Sequence, residues 1–308
     1  MATDYKEVPD NWSKLEPYVN KGQLIQDVFG KKKCFFYDTC SFRYHANLNE
    51  KSIQSILAYI KEKDGIIIIT RCILMELASS SGILNPEYIQ YCQKISQSGL
   101  NLYVIYEEEL FQIMEICFST NASINNLLVW SVRMMKGPVS TITKTLDEDE
   151  ALNDMVKKGR NLDNKKVYKR FFSSVRANKE PGDNLGEELL GICLHILSQL
   201  PGEEDGKFCM ITDDKKAAGK IDGLFKKTNR QYRGKRIILF STPKLAQILY
   251  TEEYITDRDM LIEILKFGGS GNIKVLGTQI YDLKSNEISL GYEEMADQIM
   301  SKGIHITF

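Results

Sequence analysis

Four widely separated segments of this chain carry carboxylates where an α/β protein would bring them together. Asp38 directly follows the apolar run Cys34-Phe35-Phe36-Tyr37. Glu76 ends Thr70-Arg71-Cys72-Ile73-Leu74-Met75-Glu76, behind the isoleucine run 66–69. Asp183, Glu187 and Glu188 lie in Gly182-Asp183-Asn184-Leu185-Gly186-Glu187-Glu188, and Asp213 and Asp214 follow Phe208-Cys209-Met210-Ile211-Thr212. In an open parallel sheet, ligands bind beyond the carboxyl ends of the strands, and all four segments fall at that rim. Converging acids repel one another and resist ionisation unless a cation neutralises them. All-oxygen donors suit a hard ion, Mg²⁺ or Mn²⁺.

Helix arithmetic sharpens the third segment. Asp183 and Glu187 are four residues apart and share a face, whereas Glu188 is turned roughly 100° away. Leu190 and Leu194 lie on the Glu187 side, so Glu187 is expected to point into a partly enclosed place. A helix-capping role is the competing account of Asp38 and Asp183, and the helix dipole alone favours a carboxylate at Glu187. Glu76, flanked by Leu74, Met75, Leu77 and Ala78, is harder to explain as a surface residue. Asp183 and Glu187 compete at the third place, Asp213 and Asp214 at the fourth. The hydroxyls of Thr39, Ser41 and Thr212 are placed to orient water or a carboxylate.

The elements that must position these groups can be read from short continuous apolar runs. These are 34–37, 66–69, 102–106, 208–211 and 237–240, the pattern of strands buried on both faces. Between them, apolar residues recur at three- and four-residue spacing (Ile53, Ile56, Leu57, Ile60; Leu185, Leu189, Ile192, Ile196), the signature of amphipathic helices. Strands alternating with helices predict a three-layer α/β/α sandwich around a parallel sheet. Residues 1–30 read as a helical lead-in and 31–255 as the main domain. About 120–181 form a helical insertion, since so long an interval cannot be a simple loop. Residues 256–308 read as a small α+β accessory element: a helix over 257–267, a break at Gly268-Gly269-Ser270-Gly271, a hairpin over 274–289 and a last helix over 292–300.

Order and spacing together resemble the PIN-domain nucleases. Phe-Phe-Tyr-Asp-Thr-Cys-Ser-Phe is similar to that family's opening motif of strand, Asp and small hydroxyl residue. Ile-Thr-Arg-Cys-Ile-Leu-Met-Glu-Leu resembles the second motif. Gly186-Glu187 at a helix start and Met210-Ile211-Thr212-Asp213-Asp214 resemble the last two. The likeness covers about 31–250, and the insertion before Asp183 is long for the family. It implies Mg²⁺- or Mn²⁺-dependent phosphodiester hydrolysis by an endonuclease of single-stranded or structured RNA, with DNA as the other substrate. Asp38, Glu76, Glu187, Asp213 and Asp214 are the implied catalytic residues, and the same five with Asp183 the implied metal ligands.

Charge placement suits a nucleic acid. The chain is nearly neutral overall, net charge -1, which excludes a generic basic coat but not a local basic face. Lys215, Lys216, Lys220, Arg230 and Arg233 follow the Asp-Asp pair, and Lys166 and Arg170 lie in the insertion. Together they could line a phosphate-tracking rim, with Tyr168, Phe171, Phe172 and Tyr232 as interleaved aromatics, although solvated helix faces and core packing account for the same residues. His195, in an apolar helix, reads as a hydrogen-bonded core histidine. The cysteines, odd in number and without C-x-x-C spacing, read as reduced packing residues of a cytoplasmic protein, and no apolar stretch is long enough to span a membrane.

Rival functions are weighed by spacing. A haloacid-dehalogenase-type phosphatase needs an acid two residues after the first, where Cys40 stands. A topoisomerase-primase site needs Asp-x-Asp, whereas Asp213 and Asp214 adjoin. A catalytically silent PIN-like module stays open, with the insertion or tail contacting RNA, a protein partner or a second copy of the chain.

Overall fold

A computed structural model describes residues 4–135, 140–227, 232, 234–268, 271–280 and 282–308. Its centre is a five-stranded sheet, all strand pairs parallel: β1 (Lys33–Tyr37), β2 (Gly65–Thr70), β3 (Leu102–Ile105), β4 (Phe208–Ile211) and β5 (Ile238–Phe240). Their order is β3-β2-β1-β4-β5. The chain therefore winds outward from β1 through β2 to β3, then returns to the other side of β1 for β4. The resulting switch point, between β1 and β4, is where the connections leave a crevice at the carboxyl ends.

Alternation along each strand assigns the two faces. Phe35, Tyr37, Ile67, Ile69, Cys209 and Ile211 enter one apolar cluster, and Cys34, Phe36, Ile66, Ile68, Phe208 and Met210 enter the other. Helices Glu50–Glu62, Pro86–Gln97 and Thr242–Thr251 cover the first face. Leu185–Leu197 and Lys215–Lys227 cover the second. The α/β/α layering expected from the sequence is present.

The insertion is helical, as expected: Asn121–Met135, Thr141–Glu148, Glu150–Val156 and Val167–Ala177. It is not an appendage, because Leu128, Val132, Phe171 and Phe172 are fully buried in the second cluster. Burial of each such side chain is worth about 1.5–3 kcal/mol, so these helices build that layer. Tyr168, Phe171 and Phe172 are therefore core, and the base-stacking alternative for them falls away.

The tail adds a three-stranded antiparallel sheet, β6 (Asn272–Gln279), β7 (Asn286–Gly291) and β8 (Ile304–Ile306), ordered β7-β6-β8. The hairpin was legible; β8, three residues long, was not. Leu261, Ile264, Ile273, Met295 and Ile299 join the first cluster, so the tail shares the core of the sandwich. Among the described residues no helix is long and apolar enough to cross a membrane.

Candidate functional site

Strand register fixes which acids meet. Tyr37 pairs with Ile211 across β1 and β4, so the residues that follow, Asp38 and Thr212, leave the sheet side by side. Thr212 Oγ1 accordingly donates to Asp38 Oδ2 at 2.8 Å, the Cys40 thiol to the same oxygen at 2.9 Å, and Thr39 N–H to Oδ1 at 2.7 Å. Asp38 is also the N-cap of the Thr39–Ala46 helix, so the capping and site readings describe one residue. It is 2% exposed. Burial raises its pKa above the usual carboxylate range, against the three hydrogen bonds, with the Glu76 charge adding to the rise.

Glu76 sits on the Arg71–Ala78 helix, which β2 aims toward β1. Thr39 Oγ1 donates to its Oε2 at 2.5 Å. Gly186 N–H donates to Oε1 at 3.2 Å, and Lys179 Nζ lies 3.0 Å from the same oxygen.

Glu187 and Asp183 go to different surroundings. Glu187 is half-buried, and its pKa is pushed up to about 8, first by burial and then by the charges of Asp38, Asp214 and Glu76, with the hydrogen bond its protonated form donates to Asp214 adding to the rise. Asp183 is held by the Lys179 ammonium, by Thr141 Oγ1 at 2.7 Å and by Glu180 N–H at 2.9 Å. The turn before the helix thus engages Asp183, and Glu187 is the acid that faces the other carboxylates. Glu188 is 3% exposed and pairs with Lys220 at 3.3 Å.

Asp213 and Asp214 also separate. β4 pairs with β5 so that Ile211 faces Phe240, which sets Asp213 against Thr242. Asp213 accepts from Thr242 N–H at 2.6 Å, from Thr242 Oγ1 at 2.7 Å and from Ser41 Oγ at 2.7 Å. It ties the Thr242–Thr251 helix to β4, and burial raises its pKa despite these bonds. Asp214 accepts from Lys216 and Ala217 N–H at 2.6 and 3.0 Å, capping the helix that carries the basic run. The structure thus couples Asp38, Glu76, Glu187 and Asp214, with Asp213 displaced toward β5 and Asp183 beyond Lys179.

The three hydroxyls singled out by sequence each bind a carboxylate: Thr39 holds Glu76, Thr212 holds Asp38, and Ser41 holds Asp213. Two groups were missed. Cys40 is not a packing residue: it reaches solvent and donates its thiol to Asp38, with burial of the sulfur and the Asp38 charge raising its pKa. Lys179 was overlooked among commoner surface lysines, although its spacing of four residues from Asp183 was a usable signal.

The basic residues are dispersed. Lys215 lies 3.4 Å from Glu287 of the tail sheet, and Lys216 is exposed. Arg170 is paired with Asp149 at 2.8 Å. Lys166 and Arg170 belong to the start of the Val167–Ala177 helix, whose other end leads to Lys179. At about 1.5 Å per residue, Lys166 is on the order of 20 Å along that axis from Lys179. Arg230 and Arg233 lie outside the described residues. Tyr232 stacks on Trp130 at 4.6 Å, and its carbonyl lies 2.7 Å from His195 Nε2 while Ser131 Oγ lies 2.7 Å from Nδ1. His195 is the hydrogen-bonded core histidine expected.

Among the described residues no three His, Cys, Asp or Glu side chains stand in a metal-holding arrangement. The donor chemistry nevertheless fits a hard cation. Asp38, Glu187 and Asp214 are all-oxygen, and burial followed by its neighbours' charges raises the Glu187 pKa to about 8, an imbalance that a bound cation relieves. No protein-family model, curated protein or solved structure matches the chain.

Proposed function

We propose that this chain is a Mg²⁺- or Mn²⁺-dependent phosphodiester hydrolase acting on RNA, an endoribonuclease of PIN type. One observation supports the reading: beside the switch point between β1 and β4, burial and then the charges of Asp38, Asp214 and Glu76, each from a different segment, raise Glu187 to about 8. Asp38, Glu187 and Asp214 would hold the ion. Thr39 and Thr212 fix the rotamers of Glu76 and Asp38, so the carboxylates are oriented before substrate arrives. A bound divalent ion supplies Lewis acidity toward a phosphoryl oxygen and lowers the pKa of water. Lys215 and Lys216, at the start of the helix capped by Asp214, would supply positive charge to a phosphate backbone approaching the acids.

The test is cleavage of end-labelled single-stranded RNA, single-stranded DNA and branched DNA by the purified chain, with Mg²⁺, Mn²⁺ or EDTA. RNA is expected to be cut internally only with a divalent ion, and Asp38→Asn and Glu76→Gln are expected to lose on the order of 10²-fold or more with unchanged circular dichroism. Variants that cut as fast as the parent refute the assignment. Preferential cutting of DNA moves the substrate class, and tight RNA binding without cleavage favours the silent-module reading.

A further inference from the structure

Lys179 follows the Val167–Ala177 helix, four residues before Asp183. Its side chain is 2% exposed, a depth lysine reaches only when its ammonium is paired. The pairing joins two of the acids that sequence alone would assign to a metal. The ammonium bridges Asp183 Oδ1 and Glu76 Oε1 and lies 5.0 Å from the centre of the Tyr5 ring.

The other lone pairs of those acids are also engaged. Glu76 takes Thr39 Oγ1 on Oε2 and Gly186 N–H on Oε1. Asp183 takes Thr141 and the Glu180 and Leu185 N–H groups. The two carboxylates thus share one internal cation, which offsets one of their two charges, and their oxygens are occupied by donors. Among the described residues no lysine or arginine is ion-paired with Asp38, Glu187 or Asp214; the charges of Asp38 and Asp214 act on Glu187, and the Glu76 charge reaches both Asp38 and Glu187. The acidic group therefore divides into a pair bridged by an internal cation and a set with none among the described residues.

We propose that the Lys179 ammonium is a built-in cation in the place a second divalent ion would take. The site then accepts one Mg²⁺ or Mn²⁺ per chain, on the side of Asp38, Glu187 and Asp214. Glu76 and Asp183 are partners of Lys179, and Lys179 is a positioning residue that acts through Glu76. A second divalent ion at Glu76 and Asp183 would meet an ammonium already seated there, and like charges at such separation exclude one another. This inference rests on the metal-dependent reading of the site.

Mn²⁺ binding by the full chain, counted by electron paramagnetic resonance of the free ion and by native mass spectrometry, tests it without any substrate. One ion is expected on the parent and on Lys179→Arg, and two on Lys179→Met, where the exposed acids recruit a second. Adding Glu76→Gln to Lys179→Met is expected to return the count to one. Two ions on the parent, or one on every variant, overturns the role of Lys179 and leaves the metal-dependent reading standing. No ion on the parent overturns both. The parent count is decisive even where Lys179→Met fails to fold.

Discussion

A β-carbon added to Gly186 would lie 2.6 Å from Oε1 of Glu76, a contact closer than real side chains tolerate. The missing side chain lets the carboxylate reach the Gly186 N–H at the start of the Leu185–Leu197 helix, where the dipole and free N–H groups favour an anion. Two motifs that are 110 residues apart are thus joined through one absent β-carbon.

Gly186→Ala is expected to push the Glu76 carboxylate off its seat. Thr39 and Lys179 restrain its displacement, so the change should cost about 1–3 kcal/mol as a lost hydrogen bond plus overpacking, together with most of the nuclease activity. Gly219→Ala is the control. It sits in the Lys215–Lys227 helix with nothing within 4 Å of an added β-carbon, and should stabilise by about 0.5–1 kcal/mol. Urea unfolding of both variants checks the contrast; equal effects would mean that Gly186 has no special contact.

Asp213 and Asp214, indistinguishable in sequence, should separate in experiment. Asn is as good an N-cap as Asp, so Asp214→Asn keeps the bonds to Lys216 and Ala217 N–H while removing a charge near Glu187. It should leave the melting temperature within about 2 °C and weaken Mn²⁺ binding at least tenfold, given carboxylate ligation. Asp213→Asn turns an acceptor-only group, which takes one N–H and two hydroxyls, into one that must also donate. Its cost should fall on stability, at about 1–3 kcal/mol, with a smaller change in metal affinity. Thermal melts and calorimetry on the pair decide; the reverse pattern would move the ion to the β5 side.

The sheet was legible because strands buried on both faces leave continuous apolar runs, as at Ile66 to Ile69. Asp38 and Glu76 were legible because each stands at a fixed distance beyond such a run. The choices at 183/187 and 213/214 were not, since they depend on register: Ile211 opposite Phe240 sends Asp213 to Thr242, and no local pattern encodes that pairing. Lys179 was hidden for a related reason. A lysine is ordinarily a surface residue, and its burial arises only when Glu76 arrives from 103 positions earlier in the chain (179 minus 76). The pairing of individual basic residues was not legible, because charge runs record composition, while Arg170 finds its partner, Asp149, within the insertion.

Stability without metal should fall as pH rises from about 6.5 to 8. Glu187 has its folded pKa raised from 4.5 to about 8, so between those values the folded chain holds a proton the unfolded chain has released. Stability is then full at the acid end and is lost as pH passes the folded value. The buried histidines act oppositely: burial lowers His45 to about 3 and His195 to about 4 from 6.5, so their effect raises stability with pH and ends near 6.5. A maximum near pH 6–6.5 is expected in EDTA. Glu187→Gln should flatten the fall above it, and Mg²⁺ should raise the melting temperature more at pH 8 than at pH 6. Scanning calorimetry across pH 5–8.5 reads all three; a parent curve that is flat above 6.5 would remove the premise that Glu187 carries a raised pKa.

Beyond the site, the largest single loss of stability should come from Arg176. Its side chain is 1% exposed and its Nη1 lies 2.5 Å from Glu107, itself 0% exposed, and 2.8 Å from Glu108. Burial raises the Glu107 pKa even with Arg176 and the Cys72 N–H opposing it, so the carboxylate depends on its partner to stay charged. Arg176→Met strands Glu107 in the core, and breaking a buried pair from one side costs about 3–5 kcal/mol, a large part of a typical 5–15 kcal/mol stability. Glu107→Gln should cost less, because Glu108 and Glu7 still hold the guanidinium and the amide oxygen can still accept from Cys72. In the double variant Arg176→Met/Glu107→Gln the buried charge is gone from both sides, so the loss should be smaller than the sum of the two singles by about 1–3 kcal/mol. Urea unfolding of the four chains at pH 7 gives this coupling directly, and strict additivity would show that the pair is held apart by more than its geometry implies.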